Sequence, residues 1–145
     1  MDFFSSMRVS ASGLDAQNKR MNTISSNIAN SETTRGVGGG PYRRKDPVMA
    51  AQTDRENFGE ILQNAIDENI QGVQVVEIAE DERGPKMVFN PHHPDANAEG
   101  YVAMPNVNPV EEMANMISAQ RSYEANVTAM GAAKQMAQKA LEIGR

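Results

Sequence analysis

Two ladders of apolar side chains, one at each end of the chain, constrain this sequence more than anything else in it. Near the N-terminus Phe4, Met7, Ala11, Leu14, Asn18, Met21, Ser25 and Ile28 follow one another at alternating steps of three and four. Near the C-terminus Met113, Met116, Gln120, Tyr123, Val127, Met130, Lys134, Ala137 and Leu141 do the same. This spacing holds a stripe on one side of an α-helix and is the pattern of a coiled-coil seam. It predicts a helix over 1–30 and a second over 108–145. The first is rich in Ser and Asn, whose side chains compete for backbone hydrogen bonds, so it is marginal alone. The second combines the seam with strong helix formers. Its start is marked by Asn108 as N-cap, Pro109 at the first helical position and Glu111 three residues after the cap. Glu111 and Glu112 read as complements to the positive end of the helix dipole.

Between the ends, residues 31–107 lack a sustained period. Gly36, Gly38, Gly39, Gly40, Pro41 and Pro47 predict an irregular connection. Phe58, Ile61, Leu62, Ala65 and Ile66 predict a short amphipathic helix over 57–70. Residues 72–78 predict a strand, 86–89 its hairpin partner across 81–85, and 101–104 a third short strand. The expected fold is mainly α: long terminal helices forming a coiled-coil-like hairpin, with an irregular, β-rich insert between them. Three segments are expected, 1–30 and 108–145 as assembly helices and 31–107 as the middle.

The rest of the composition says what such a hairpin lacks. Among 145 residues there are four Phe, three Tyr and no Trp, few for a chain that fills a large core of its own. Two narrow seams do not offset the entropy of ordering both helices, so further burial is expected from neighbouring molecules. Methionines recur in both ends (Met7, Met21, Met113, Met116, Met130, Met136), and thioethers adapt to imperfect neighbours. A self-contained antiparallel coiled coil is the plainer alternative. The net charge is −5, and residues 31–105 hold it, with thirteen acids against seven bases. The near-neutral ends can pack against copies of themselves without strong repulsion.

Chemistry finds little support. There is no cysteine, which removes disulfides and thiolate sites. Gly36–Gly40 fits neither phosphate-loop pattern, because Pro41 stands where a third glycine is needed and no Gly-Lys-Ser/Thr follows. His92 and His93 are the sole histidines and point apart in an extended segment. Asp67-Glu68 and Glu80-Asp81-Glu82 read as solvated charge. Arg43-Arg44-Lys45 is too short to be a nucleic-acid stripe. No catalysis, metal, cofactor, small-molecule substrate or nucleic acid is expected. No run of about 18 apolar residues crosses a membrane, and the first twenty residues do not resemble a cleavable secretion signal.

The motifs carry a family resemblance. Ser25-Ser-Asn-Ile-Ala-Asn30, then Thr33-Thr-Arg35 and Gly39-Gly-Pro-Tyr-Arg-Arg-Lys45, resemble the N-terminal signature of flagellar basal-body rod and hook proteins. His93-Pro-Asp95, Glu99 to Pro109, Glu111 to Asn126 and the ending Ala140 to Arg145 resemble the proximal-rod members of that family. Tyr42 follows a glycine run here, where the broader family often has Thr-x-Gly-Tyr soon after its Ala-Asn. On this resemblance Asn27, Ala29, Asn30, Thr34, Pro41, Tyr42, Asn108 and Pro109 are motif residues. It implies a structural subunit of the bacterial flagellar rod, exported unfolded through the flagellar type III apparatus. Such a subunit polymerises in the periplasmic space through its terminal helices, with copies of itself, other rod proteins and adaptor proteins at the rod base. The expected assembly interface is Met7, Leu14, Met21, Ile28, Met113, Met116, Tyr123, Val127, Met130 and Leu141. The competing reading is a cytoplasmic coiled-coil adaptor or secretion chaperone.

Overall fold

In the computed structural model, which describes residues 3–36, 38–52 and 71–143, two long helices flank two small sheets. Helix α1 spans Phe3–Ala29 and helix α2 spans Pro109–Ile143. Between them lie strands β1 (Lys45–Ala51), β2 (Val73–Glu80), β3 (Lys86–Phe89) and β4 (Tyr101–Met104). The architecture is the expected mainly α one. The short helix expected over 57–70 lies outside the described residues.

The two helices run antiparallel at constant register. A Cβ placed on Gly13 would lie 2.9 Å from Asn126 Nδ2, and Asn27 bonds to Glu112. Fourteen residues separate each pair along its helix, so neither helix slips past the other. Gly13 is thus a point of close approach, where a larger side chain would push the helices apart. In the same register Phe3 lies level with Met136. Residues 137–143 therefore project about 10 Å beyond the described start of α1.

On α2 the residues most withdrawn from water are Glu112, Ala119 and Ala133. With half-buried Met116, Tyr123, Asn126, Met130 and Ala137 they form a ladder of threes and fours. Met116, Tyr123, Met130 and Ala137 belong to the ladder expected from the sequence. Met113, Gln120, Val127 and Lys134 do not, because Glu112, Ala119, Asn126 and Ala133 take their places one residue earlier. Helix α1 shows the same displacement, since Gly13 and Asn27 meet α2 while Leu14 and Ile28 stand one step, about 100°, further round. Gly13, Ala119 and Ala133 win contact positions because small side chains let the backbones approach, whereas Asn27 and Glu112 win theirs by bonding to each other.

Helix α1 also packs against β1 and β2. Ser12 Oγ accepts the Val73 N–H at 3.1 Å and donates to the Val9 carbonyl at 2.7 Å. Gly72 permits this, since a Cβ there would sit 2.7 Å from Ser12 Oγ.

The strand pairing differs from the expected hairpin. β2 pairs antiparallel with β1, from Lys45 opposite Glu80 to Ala51 opposite Val73. β3 pairs antiparallel with β4, from Lys86 opposite Met104 to Phe89 opposite Tyr101. Residues 81–85 therefore join two sheets instead of closing one. Asp81 starts that connection by accepting the Arg83 N–H at 2.9 Å and its Nε–H at 3.0 Å. The second hairpin is fixed by an edge-to-face contact of Phe89 and Tyr101, ring centroids 5.3 Å apart. Gly100, at φ 82°, turns the chain under the Phe89 ring. β1 was hidden by Pro47, which reads as a strand breaker but is admitted on a strand that uses one edge only.

Gly13→Val is expected to lower stability by about 1–3 kcal/mol through overpacking against Asn126. Asn126→Ala should restore most of that loss in the double variant, read by chemical denaturation with circular dichroism.

Candidate assembly interface

Where α1 ends and α2 begins, the chain buries polar groups. Asn27 is 0% exposed and Glu112 is 1% exposed. Asn27 Nδ2 donates to the Lys45 carbonyl at 2.8 Å and to Glu112 Oε2 at 3.0 Å. Its Oδ1 accepts the Lys45 N–H at 2.9 Å and the Tyr42 hydroxyl at 2.9 Å. Both donors and both lone pairs of the amide are used, so its burial carries no unpaired group. Glu112 Oε1 accepts Arg44 Nε–H at 2.8 Å, and Arg44 also pairs with Asp46. Burial works against the Arg44 charge, but the hydrogen bond to Glu112 and the fields of Asp46 and Glu112 outweigh it and hold the guanidinium above its ordinary value.

The node joins three stretches far apart in sequence: the end of α1, residues 42–46 and the first turn of α2. Each is prepared locally. Asn30 closes α1 by donating Nδ2–H to the Ser26 carbonyl at 2.9 Å. The Tyr42 N–H donates to the Thr33 carbonyl at 3.1 Å, which folds residues 33–42 back onto the helix end. Asn108 caps α2, its Oδ1 accepting the Val110 N–H at 3.2 Å and its carbonyl the Glu112 N–H at 3.0 Å. Pro109 occupies the first helical position, where its missing N–H costs nothing. Glu111 is exposed, and Glu112, which the sequence suggests only as a dipole partner, is buried in the node.

A second tether holds the segment after α1. Thr34 Oγ1 donates to Asp95 Oδ2 at 2.7 Å, Arg35 pairs with the same carboxylate, and His93 Nδ1 accepts the Asp95 N–H at 3.1 Å. The Thr34 hydrogen bond, aided by Arg35, holds the Asp95 carboxyl below its usual range despite some desolvation.

The motif residues thus share a region. Asn27 and Tyr42 enter the node, Asn30, Asn108 and Pro109 shape the helix ends, and Thr34 anchors to Asp95. Pro41 is half-buried beside Tyr42, and Ala29 is exposed with no bond that explains it. Sequence reasoning missed Arg44 and Glu112. Only Glu112 carried a signal, a period of buried positions in which it lies seven residues before Ala119 and fourteen before Asn126.

The residues expected to mediate assembly fall into two groups. Met7, Leu14, Met21, Ile28, Met116, Tyr123 and Met130 are half-buried. Met113, Val127 and Leu141 are exposed, by 51%, 48% and 75%. Among the described residues five hydrophobic side chains are buried and fourteen large ones are exposed, six of the latter on α2. The described residues hold no cluster of His, Asp or Glu able to bind a metal, and no helix among them is long and apolar enough to cross a membrane.

Comparison with known proteins matches these two ends to one class. The family described as flagella basal body rod protein matches residues 7–35, and the family of the flagellar basal body rod FlgEFG protein C-terminal region matches residues 98–143. The flagellar basal-body rod protein FlgC of Bacillus subtilis is 49% identical over 100% of both chains. That of Borreliella burgdorferi is 44% identical over 99% of this chain and 98% of its own. That of Salmonella typhimurium is 39% identical over 94% of each. The chain belongs to the flagellar basal-body rod proteins, a structural and non-enzymatic family, and within it to the FlgC proteins of the rod. The adaptor and chaperone reading is set aside by this membership.

Glu112→Ala is expected to cost about 2–5 kcal/mol, because it takes a charged hydrogen bond from Arg44, which keeps only Asp46, and leaves an Asn27 donor unpaired. Removing Arg44 as well should recover a large part, which a double-mutant cycle of unfolding midpoints measures.

Proposed function

We propose that the chain polymerises through the outward faces of its terminal helices into the proximal rod, the shaft that carries torque from the membrane ring to the hook. Its partners are further copies of itself, other rod proteins and adaptor proteins at the rod base. It reaches the periplasmic space through the flagellar type III export apparatus. The observation that carries this reading is the exposed apolar surface of α2. Val110, Met113, Ile117 and Val127 remain outside although the helix already has a private partner. Leu141, on the turns that project past α1, adds an end for a subunit further along the axis.

The near-neutral helix ends favour this, since stacking many copies brings like surfaces close together. The domain roles follow: 1–30 and 108–145 assemble, and 31–107 carries the two sheets.

The test is complementation of a Bacillus subtilis strain lacking its FlgC with this chain. Met113→Asp and Val127→Asp change exposed positions, so the purified chain should keep its unfolding midpoint within about 0.5 kcal/mol. Swimming and hook completion should nevertheless be lost, with expression unchanged. Full motility with complete hooks in both variants would overturn the proposal.

A further inference from the structure

Each helix carries two candidate seams one residue apart, and the chain must choose between them. On α2 the choice lies between Glu112, Ala119, Asn126 and Ala133, which face α1, and Met113, Gln120, Val127 and Lys134, which do not. On α1 it lies between Gly13 and Asn27, which meet α2, and Leu14 and Ile28. Apolar burial alone favours the second set on both helices. Met116, Tyr123 and Met130 are common to both arrangements, so they do not decide it. Gly13 against Asn126 permits close approach but makes no bond that a rotated helix would break.

We infer that the buried Asn27–Glu112–Arg44 node is a rotational lock that selects the small-residue seam and keeps the apolar stripe of α2 turned outward. Turning α2 by about 50°, the half step that exchanges the two seams while keeping Met116, Tyr123 and Met130, swings Glu112 from the middle of the interface to its flank and away from Arg44 and Asn27. Half-buried Arg44 then keeps only Asp46, and the buried Asn27 Nδ2 loses one of its two acceptors. The node also reaches the backbone of Lys45 through Asn27, so α1 cannot rotate to follow without releasing β1. A buried polar group that costs stability in every arrangement but one is a means of specifying that arrangement. Arg44 and Glu112 are positioning residues in this sense. The inference concerns contacts within one chain, so it stands or falls separately from which subunit covers the outer stripe.

The absence of native cysteine allows a direct test on the full chain in solution. Single cysteines are introduced as Val127→Cys, on the outer stripe, and Ala133→Cys, on the buried one, and their rates of modification by a thiol reagent are measured. Each is then combined with Arg44→Met/Glu112→Met, which replaces the ion pair by apolar side chains of similar length. Position 127 is expected to slow roughly threefold or more and position 133 to quicken by a similar factor, with the thermal midpoint kept or raised. Loosening without rotation would quicken 133 and leave 127 unchanged or faster, and that result would overturn the lock. If the double variant does not fold, Glu112→Gln decides, since it keeps the shape and removes the charge. Changes of the same signs, near twofold, are expected there, and an unslowed position 127 overturns the inference.

Discussion

The architecture depends on one buried amide. Asn27 bonds at once to the first strand, to Tyr42 and to the first turn of the second helix. Among the described residues it is the one side chain that ties α1 to both β1 and α2, whereas Ser12 ties α1 to β2 alone. The buried apolar residues common to the helix pair are Ala16, Ile24, Ala119 and Ala133, of which three are alanines. Such a core favours contact but specifies little. Specificity comes from the polar groups, which tolerate one geometry.

That division has a consequence for energy. Turning α2 to bury the exposed halves of Met113 and Val127 would gain about 1 kcal/mol each. Losing the charged hydrogen bond from Arg44, which keeps Asp46, costs about 1.5–3 kcal/mol, and an unpaired Asn27 donor about 1–3 more. The polar node therefore prevails, and the apolar stripe stays available. A subunit that hid its best hydrophobic side chains within itself would have little left with which to build a filament. Here the larger side chains remain outside on a 35-residue helix whose last turns extend past their partner.

Periodicity made the long helices legible, and local chemistry marked the start of α2, where Asn108 and Pro109 act as their types suggest. Strands were legible over 72–78, 86–89 and 101–104 from their β-branched and aromatic content, and the first of them runs over Val73–Glu80. Their partners were not, because pairing is a long-range choice. β2 takes β1, across residues whose Pro47 hid it, and Phe89 takes Tyr101 across a glycine turn. The one-residue displacement of the seam was illegible for a similar reason. A heptad count ranks positions by hydrophobicity, whereas close packing at Gly13 and pairing at Glu112 rank them by size and bonding. Arg44 was passed over as part of a short basic run, and only its distant carboxylate gives it a role.

The most direct measurement is an electron cryo-microscopy map of a rod containing this chain. In it Val110, Met113, Ile117 and Val127 are expected to lie against neighbouring subunits, with Asn27 and Arg44 still within hydrogen-bond distance of Glu112. A map in which that stripe faces solvent, or in which Glu112 has left Asn27 and Arg44 as the stripe turned inward, would contradict it.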